Sequence, residues 1–527
     1  GARVGVVFCG RQAPGGHNVV WGLAAAVRRL GGSVVGFEGG TQGMFAQRAV
    51  EVDDARLALY KNQGGFDMLG RSADQVRTEA QVAATEAACR ALRLDGLVMI
   101  GGTHTGSDAA ALAETFAARG VGTKVVAVPS GIDGDLVNNF VEATVGFHTA
   151  CGVYAQLVGN IATDANSAKK YTYFVRLMGR KPSHIAVEVG LQTQPNAVLI
   201  GEEVADHRWT LPDVVRRLAD VVARRAAAGK NFGVVLVPEG LIAAIPEVAA
   251  LIKELNALFR AGVSAEADVR ARLTPWCAAL LEYLPEFIQR QLMLEREVHG
   301  SVQLSQIQTE RLLAELVDAE LAERARRGEF AGKFAAVCSF AGYEARCATP
   351  SPFDCELGFA LGHTAAALLA AGQTGYMATV RGVTHGVERW VCGGVPLAAM
   401  LACARHSHGI HARIPPSSVD LSGAPFAALK AGLSSGGWAD GEAYRNPGPT
   451  QMGGPTRDAR PAVTELRCGN DGDYLSRLGK LHALLAATRE RCTPGCDAHV
   501  LDTALASMSC LDSILNGMRD RRGAALE

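Results

Sequence analysis

Two carboxylates one residue apart, Asp133 and Asp135, occupy the segment GIDGD at 131–135. The segment follows the apolar run KVVAV at 124–128, which is typical of a buried strand. A carboxylate at the C-terminal end of a strand is well placed to act as a general base beside a phosphate group or a metal ion. The alternative interpretation is a surface turn, because Asp-Gly turns are common.

Two glycine-rich turns favour the catalytic interpretation. The segments CGRQAPGG at 9–16 and GGTHTGS at 101–107 each lie between a predicted strand and a predicted helix. Glycines at such a junction let backbone N–H groups approach an anion at the helix N-terminus, so both turns indicate phosphate contact; a simple tight turn is the alternative. The position after Gly102 suits a metal-binding carboxylate, but Thr103 is a poor Mg²⁺ ligand when neutral.

Charged side chains also lie beside later strand-like runs. Arg180 suits bidentate phosphate contact, and Glu239 suits hydrogen bonds from sugar hydroxyls. Glu344 and Arg346 form a further acidic and basic pair. Lys170 belongs to a basic turn that is a candidate for phosphate contact across a subunit boundary. The alternative for Arg180 is an ordinary surface arginine, and that for Glu239 is a carboxylate near a helix N-terminus. The alternative for the turn at Lys170 is a solvated basic turn.

Composition excludes several classes of protein. The formal net charge of −1 argues against a surface selected for nucleic acid or membrane binding, and no apolar run approaches the ~20 residues of a membrane span. The thirteen cysteines show no metal-ligand spacing, so no zinc site is expected, and such scattered thiols indicate a reducing compartment; we expect a cytoplasmic protein. His104, His148, His184 and His363 are candidate catalytic residues, although a lone histidine beside a helix is more often structural.

The pattern of elements predicts an α/β protein with two Rossmann-like domains and parallel-type sheets. Short β-branched runs alternate with helical periodicity through the first half of the chain. We expect the site in the cleft between the domains, at the C-terminal ends of the strands. The predicted divisions are a domain over 1–165, to which the chain returns later, a second domain over 166–245 and 331–410, a helical insertion over 246–330, and a C-terminal loop and helices over 411–527. Within the last division, the Gly-, Pro- and Ser-rich stretch 415–461 predicts a docked loop or a flexible tail, and helices are predicted over 475–489 and 499–518.

Several motifs in a fixed order resemble the phosphofructokinase superfamily, specifically its long pyrophosphate-dependent members. They are FCGRQAPGGHN, GGFDMLGR, LVMIGG, GIDGD, YFVRLMGR, VVLVPEGLI, QLSQIQTERLL and FAGYEAR. The segments GVVFCGRQAPGGHNVVWGL, YKNQGGFDMLGR and DAAALAETFA are most similar to the plant-type alpha, or regulatory, subunit. The resemblance implies the phosphofructokinase fold, reversible phosphoryl transfer from pyrophosphate to fructose 6-phosphate to give fructose 1,6-bisphosphate, and Mg²⁺ as cofactor.

The resemblance also implies roles for individual residues. Asp133 corresponds to the base and Asp135 to its companion carboxylate. The implied donor-side residues are Gly10, Arg71, Gly102, Thr103, His104 and Ser130. The implied substrate-side residues are Gly131, Ile132, Lys170, Tyr171, Met178, Gly179, Arg180, Glu239, Tyr343, Glu344 and Arg346.

Departures from the family pattern fall on the donor side. Catalytic members have two aspartates where this chain has Thr103 and His104, and a lysine where it has Ser130. We therefore expect a weakly active alpha-type subunit that pairs with a beta-type catalytic subunit and sets the response to fructose 2,6-bisphosphate. The alternatives are an active pyrophosphate- or ATP-dependent enzyme that uses Asp133 as base, and a sugar-phosphate sensor or scaffold.

Overall fold

The structure is a computed structural model that describes most of the chain. The described residues are 1–180, 182–263, 265–294, 302–406, 409–434, 437–441, 444–468, 488–490, 492, 495 and 497–509. The chain divides into two compact units, Gly1–Cys468 and Gly469–Glu527. Residues 498–509 of the smaller unit are helical, in agreement with a helix predicted over 499–518; most of another helix, predicted over 475–489, lies outside the described residues.

The strands form two main sheets and a hairpin. In chain order they are β1 (Arg3–Phe8), β2 (Ser33–Phe37), β3 (Ala49–Glu51), β4 (Gly96–Gly101), β5 (Lys124–Pro129), β6 (Thr172–Leu177), β7 (Ala197–Val198), β8 (Gly233–Pro238), β9 (Ala336–Ala341), β10 (Tyr376–Arg381), β11 (Val391–Pro396), β12 (Ala402–His406) and β13 (Gly409–Arg413).

Helices connect and cover these strands. In chain order they are α1 (Gly16–Arg29), α2 (Gly40–Phe45), α3 (Asp54–Tyr60), α4 (Glu79–Ala91), α5 (Thr103–Ala118), α6 (Phe147–Ala168), α7 (His184–Thr193), α8 (Gly201–Asp206), α9 (Leu211–Ala227), α10 (Pro246–Arg260), α11 (Glu266–Arg272), α12 (Pro275–Tyr283), α13 (Glu286–Leu292), α14 (Thr309–Arg326), α15 (Pro352–Ala370), α16 (Ala424–Leu433) and α17 (Ala462–Cys468). None of the helices in the described part of the chain combines the length and apolar composition needed to cross a bilayer.

The first sheet has the order β11-β10-β5-β4-β1-β2-β3, and the strands from β10 to β2 are parallel. Alternate residues of each central strand enter different cores. Val6 and Val98 pack on one face, whereas Val7 and Met99 pack on the other, and all four are fully buried. Helices on both faces of a parallel sheet require this pattern, so the predicted α/β class is confirmed.

The second sheet has the order β7-β8-β6-β9 and is parallel throughout. Helix α6 packs against one face, and α9 and α14 cover the other together with apolar residues of α10. Helix α14 thus forms part of the core of this sheet, although the sequence assigned it to an insertion. The described residues of 246–330 are largely helical, from α10 to α14.

The predicted assignment of 331–410 to the second domain needs correction. Strand β9 joins the second sheet, but β10 and β11 join the first, next to β5. Helix α15 packs along α1 and therefore belongs with the first sheet as well. The β-branched runs alone do not show which of two parallel sheets receives a strand, because both sheets bury the same residue types.

The segment 415–461, predicted to be a docked loop or a flexible tail, is docked at α16 and just upstream of it, whereas residues 451–456 are exposed. Helix α16 packs against α7, and Leu429 is fully buried. Upstream of α16, the N–H of Val419 donates to Glu202 Oε1 at 2.9 Å. This docked part of the segment thus rests on the second sheet's helices.

Candidate active site

A cavity of about 400 Å³ lies where β1, β4, β5, β6 and β9 end. Because β1 has β4 on one side and β2 on the other, the chain changes direction here across the first sheet, and such points bind ligands in α/β proteins. The residues that line the cavity are Cys9, Gly10, Arg11, Arg71, Ala73, Gly102, Thr103, His104, Thr105, Ser130, Gly131, Asp133, Asp135, Arg180, Gln303, Ser305, Gln306, Tyr343 and Arg346.

The turn after β5 carries the two aspartates into this cavity. Its start is fixed by the bonds from Ser130 N to Gly101 O (3.0 Å) and from Gly131 N to Val145 O (2.9 Å). Gly134 has a φ of +72°, and a Cβ there would lie 3.1 Å from atoms of His184. Glycine is therefore required for both the backbone conformation and the close packing.

Asp133 is paired with a buried arginine. Arg346 Nη2 lies 3.5 Å from Asp133 Oδ1, and the Arg346 side chain is only 2% exposed. Burial, reinforced by the charge of Asp133, raises the pKa of Asp135 to about 7, while Arg180 and Arg346 partly offset the shift. The two carboxylates therefore differ: one has a cation as a direct partner, and the other holds a proton at higher pH than usual.

Glu239 lies beneath this half of the cavity and does not line it. It is fully buried, and its Oε2 accepts a hydrogen bond from Gly179 N at 3.2 Å. Burial, followed by the charge of Asp133, raises its pKa, and the nearby Arg11 and Arg346 lower it. Glu239 Oε2 thus holds the turn that presents Arg180, while Oε1 has no hydrogen-bond partner among the described residues. Its contact with a sugar hydroxyl stays a prediction.

The other half of the cavity is built by the two glycine-rich turns. Gly10 has a φ of +73°, and a Cβ there would meet nothing within 4 Å, so its backbone is open to a ligand. Arg71 Nη1 donates to Gly10 O at 3.4 Å. Gly102 caps the sixteen-residue helix α5, whose first N–H groups have no acceptor within the helix. This half offers hydrogen-bond donors to an anion.

His104 in this half is held by an arginine. Arg77 Nε pairs with Asp108 Oδ1 at 3.1 Å, and Arg77 Nη2 lies 3.3 Å from His104 Nδ1. An arginine only donates, so Nδ1 accepts and the proton of the neutral ring sits on Nε2. Burial raises the pKa of Asp108 to about 6, although Arg77 opposes the shift.

Residues suited to hold Mg²⁺ are not assembled. Within the described part of the chain, no group of three or more His, Cys, Asp or Glu residues could hold a metal ion. The usual ligand position holds Thr103, and neither ring nitrogen of His104 presents a lone pair to a cation in the tautomer described above. The cavity's carboxylates are Asp133 and Asp135. The residues present therefore do not fit the metal.

Some residues predicted for the site lie elsewhere. Lys170 and Tyr171 precede β6, whereas Arg180 follows it, so a six-residue strand of about 20 Å separates them. The remaining residues outside the lining are Ile132, Met178, Gly179, Glu239 and Glu344.

Three of the four candidate histidines do not line the cavity. His148 is half-buried, desolvation of its ring lowers its pKa to about 4, and its Nδ1 lies 2.7 Å from Ser351 Oγ. His184 Nε2 lies 3.0 Å from Ser417 O. These are structural contacts.

Sequence reasoning missed a short segment that reaches the cavity, Gln303, Ser305 and Gln306. Arg176 holds it: Nη1 donates to Ser305 O at 2.9 Å, and Nε lies 2.6 Å from Glu310 Oε2. The motif QLSQIQTERLL was a signal for this segment, but its place in a helical region concealed a site role. Ala73 was also missed, and Cys9, Arg11 and Thr105 belong to the predicted glycine-rich turns but were not singled out as site residues.

Comparisons with known proteins agree with this architecture. The family described as Phosphofructokinase matches residues 3–369. The chain is 48% identical to pyrophosphate--fructose 6-phosphate 1-phosphotransferase subunit alpha of Solanum tuberosum, over 98% of this chain and 84% of that protein. It is 43% identical to the beta subunit from the same plant, over 89% and 83%. A protein of Treponema pallidum with the same enzyme name and no subunit label is 43% identical, over 88% and 82%.

Solved structures show the same fold at low sequence identity. A pyrophosphate-dependent phosphofructokinase from Nitrosospira multiformis matches with a TM-score of 0.53 and 14% identity, over 88% of this chain and 95% of that chain. One from Marinobacter aquaeolei matches with a TM-score of 0.52 and 16% identity, over 75% and 83%.

Proposed function

The chain belongs to the phosphofructokinase family, and on that premise we propose that it is an alpha-type subunit of a pyrophosphate–fructose 6-phosphate 1-phosphotransferase. The observation that carries the proposal is the asymmetry of the cavity. Its sugar-phosphate half, which contains Asp133, Arg180 and Arg346, keeps a carboxylate paired with a buried arginine. Its donor half, formed by the glycine-rich turns around Gly10 and Gly102, has lost the residues that a metal-dependent transfer needs.

The sugar-phosphate half supports binding of fructose 6-phosphate. Arg180 and Arg346 line it and offer bidentate donors to a phosphate group. Asp133 is the candidate base for the 1-hydroxyl proton, with its charge balanced by Arg346. Glu239 fixes the Gly179 backbone and hence the direction of Arg180.

The donor half supports weak turnover by the chain alone. Transfer from pyrophosphate requires charge stabilisation on the moving phosphoryl group, and Ser130 replaces the lysine that supplies it in catalytic members. Loss of one such stabiliser costs about 10²–10³ in rate. Thr103 also leaves Mg²⁺ without its usual ligand, so we assign the metal to the partner subunit's site in a complex.

We assign the chain to a hetero-oligomer with a beta-type subunit. Lys170 and Tyr171 lie at the end of β6 remote from the cavity of their own chain, which supports a contribution to a neighbouring subunit's site. Fructose 2,6-bisphosphate is the proposed effector, and the cytoplasm the proposed location. The cysteines that the structure describes are free thiols, a state suited to a reducing compartment.

A second candidate function is an active enzyme that uses pyrophosphate or ATP. The retained Asp133–Arg346 pair favours it, because a purely regulatory subunit does not need a base. The similarity to the Treponema pallidum protein, whose name has no subunit label, is compatible with it.

Reconstitution tests the proposal. The purified chain is mixed with a plant beta-type subunit, and the mass of the complex and the formation of fructose 1,6-bisphosphate are measured. We expect a hetero-oligomer with higher activity than either component, and a greater response to fructose 2,6-bisphosphate. Sugar-phosphate binding without assembly contradicts the proposal and favours a sensor.

A further inference from the structure

The charges around the cavity favour an anion. Four arginines line it, against two carboxylates, Asp133 and Asp135. One of these carboxylates is already balanced by Arg346. Among the described lining residues positive charge therefore exceeds negative charge, and this excess attracts an anion. The arginines are Arg11, Arg71, Arg180 and Arg346.

Ser130 points to a ligand in the donor half. It is 1% exposed, it lines the cavity, and its hydroxyl has no hydrogen-bond partner among the described residues. A buried hydroxyl without a partner costs free energy unless a ligand supplies the missing hydrogen bond. The same half contains the N-terminus of α5 and the open backbone of Gly10. A hydroxyl, a helix N-terminus and an open glycine backbone all suit an oxyanion.

The same residues do not suit a metal ion. Thr103 supplies no carboxylate, and Arg77 brings a guanidinium within 3.3 Å of His104 Nδ1. That guanidinium is held by Asp108 at 3.1 Å and lies against His104, which lines the cavity. A divalent cation placed beside it would be repelled, whereas an anion would be attracted.

We propose that the donor half binds a phosphate-class oxyanion directly, without a metal ion. Ser130 donates its hydroxyl, Arg71 contributes charge, and the first N–H groups of α5 complete the cradle. The ligand is inorganic phosphate or the free pyrophosphate anion. The inference rests on the proposed function for the identity of the sugar-phosphate half, and it adds that the altered turns have exchanged metal-assisted binding for metal-free binding.

Calorimetric titration of the full chain tests this inference. Fructose 6-phosphate is titrated first and then kept saturating, so that an added anion cannot occupy the sugar-phosphate half. Pyrophosphate and inorganic phosphate are then titrated separately, each in EDTA and in excess Mg²⁺. We expect pyrophosphate or phosphate to bind in EDTA, with no gain in affinity from Mg²⁺; the tighter of the two identifies the ligand.

Variants locate the anion. Ser130→Ala should weaken the binding of the anion about tenfold, because a charge-assisted hydrogen bond is lost. Thr103→Asp should abolish anion binding in EDTA, because it places a carboxylate beside the anion. Thr115→Asp adds the same charge to α5 away from the cavity and should leave the anion affinity unchanged. Fructose 6-phosphate binding should persist in all three, which shows that they are folded.

Two results would overturn the inference. One is anion binding that appears only with Mg²⁺ in the unmodified chain. The other is an absence of anion binding while fructose 6-phosphate still binds, which leaves the proposed function intact. Failure to bind fructose 6-phosphate itself would instead contradict the proposed function, so the two failures are distinguishable.

Discussion

The backbone N–H of Ser417 donates a 2.7 Å hydrogen bond to the backbone carbonyl oxygen of Asp135. The carbonyl oxygen of Ser417 in turn accepts from His184 Nε2 at 3.0 Å; burial lowers the pKa of His184 and favours the neutral ring. Segment 414–419 therefore ties the aspartate turn to α7. Upstream, Ile414 N donates to Ser107 Oγ at 2.9 Å on α5, so the segment contacts both halves of the site.

We predict that Glu202 stabilises this arrangement. Its Oε1 accepts from Ser183 N at 3.1 Å and from Val419 N at 2.9 Å. Glu202→Ala leaves two backbone donors without this acceptor and should lower the free energy of unfolding by about 2 kcal/mol and weaken fructose 6-phosphate binding. Glu202→Gln keeps an acceptor oxygen and should have a smaller effect. Equal melting temperatures for the unmodified chain and Glu202→Ala would contradict this role.

The Asp133–Arg346 pair predicts a large effect on sugar-phosphate binding. Arg346→Ala removes a guanidinium 3.5 Å from Asp133 and leaves that carboxylate without its partner. We expect fructose 6-phosphate affinity to fall at least about tenfold, as measured by calorimetry. Arg290 forms an exposed ion pair with Glu286, and Arg290→Ala serves as the control that should retain affinity. Unchanged affinity in Arg346→Ala would exclude it from the phosphate site.

Asp135 predicts a dependence of stability on pH. Its folded-state pKa of about 7 exceeds the value of about 4 expected in the unfolded chain. The folded protein therefore binds the proton more tightly, and this group's contribution to stability is fully present below about pH 4 and is lost as pH rises through 7.

The side chain of Asp135→Asn cannot ionise, so the variant should not lose this stability as the pH rises. The stability of the variant relative to the unmodified chain should increase between pH 5 and pH 8, by at most about 1.4 kcal/mol per pH unit. Thermal melts across this range measure it. The exposed Asp318→Asn is the control and should show a constant difference. A constant difference for Asp135→Asn would contradict the raised pKa.

The buried pair Arg176–Glu310 predicts a non-additive pair of substitutions. Both side chains are at most 7% exposed, and their charged atoms approach to 2.6 Å. Arg176→Met leaves a buried carboxylate unpaired and should lower the free energy of unfolding by about 3–5 kcal/mol. Adding Glu310→Leu should recover much of the loss. Denaturant melts of the two single variants and the double variant would show additive losses if the residues act independently.

The sequence predicted the alternation of strands and helices through the first half of the chain, because β-branched runs and helical periodicity are local patterns, but it did not predict β3, α2, α3, α4 or α8. It also predicted that Gly10, Gly102, Asp133 and Arg180 converge, because parallel strands end on one edge. It did not assign β10 to the first sheet, because strand pairing is a non-local property.

Other parts of the site also depended on long-range contacts. Ser305 reaches the cavity through Arg176, which lies 129 positions earlier in the chain. The sequence also did not show that Glu239 Oε2 accepts from Gly179 N, a contact that the packing of β6 beside β8 creates.

The most direct test of the account measures sugar-phosphate binding and phosphoryl transfer with one preparation of the full chain. Calorimetry gives the affinity for fructose 6-phosphate, and fructose 1,6-bisphosphate formation is followed with pyrophosphate and Mg²⁺, before and after a beta-type subunit is added. The account predicts binding by the chain alone, with turnover at least about 100-fold below that of the mixture. Turnover by the chain alone that equals the mixture, and that Asp133→Asn abolishes, would contradict it and establish an active enzyme.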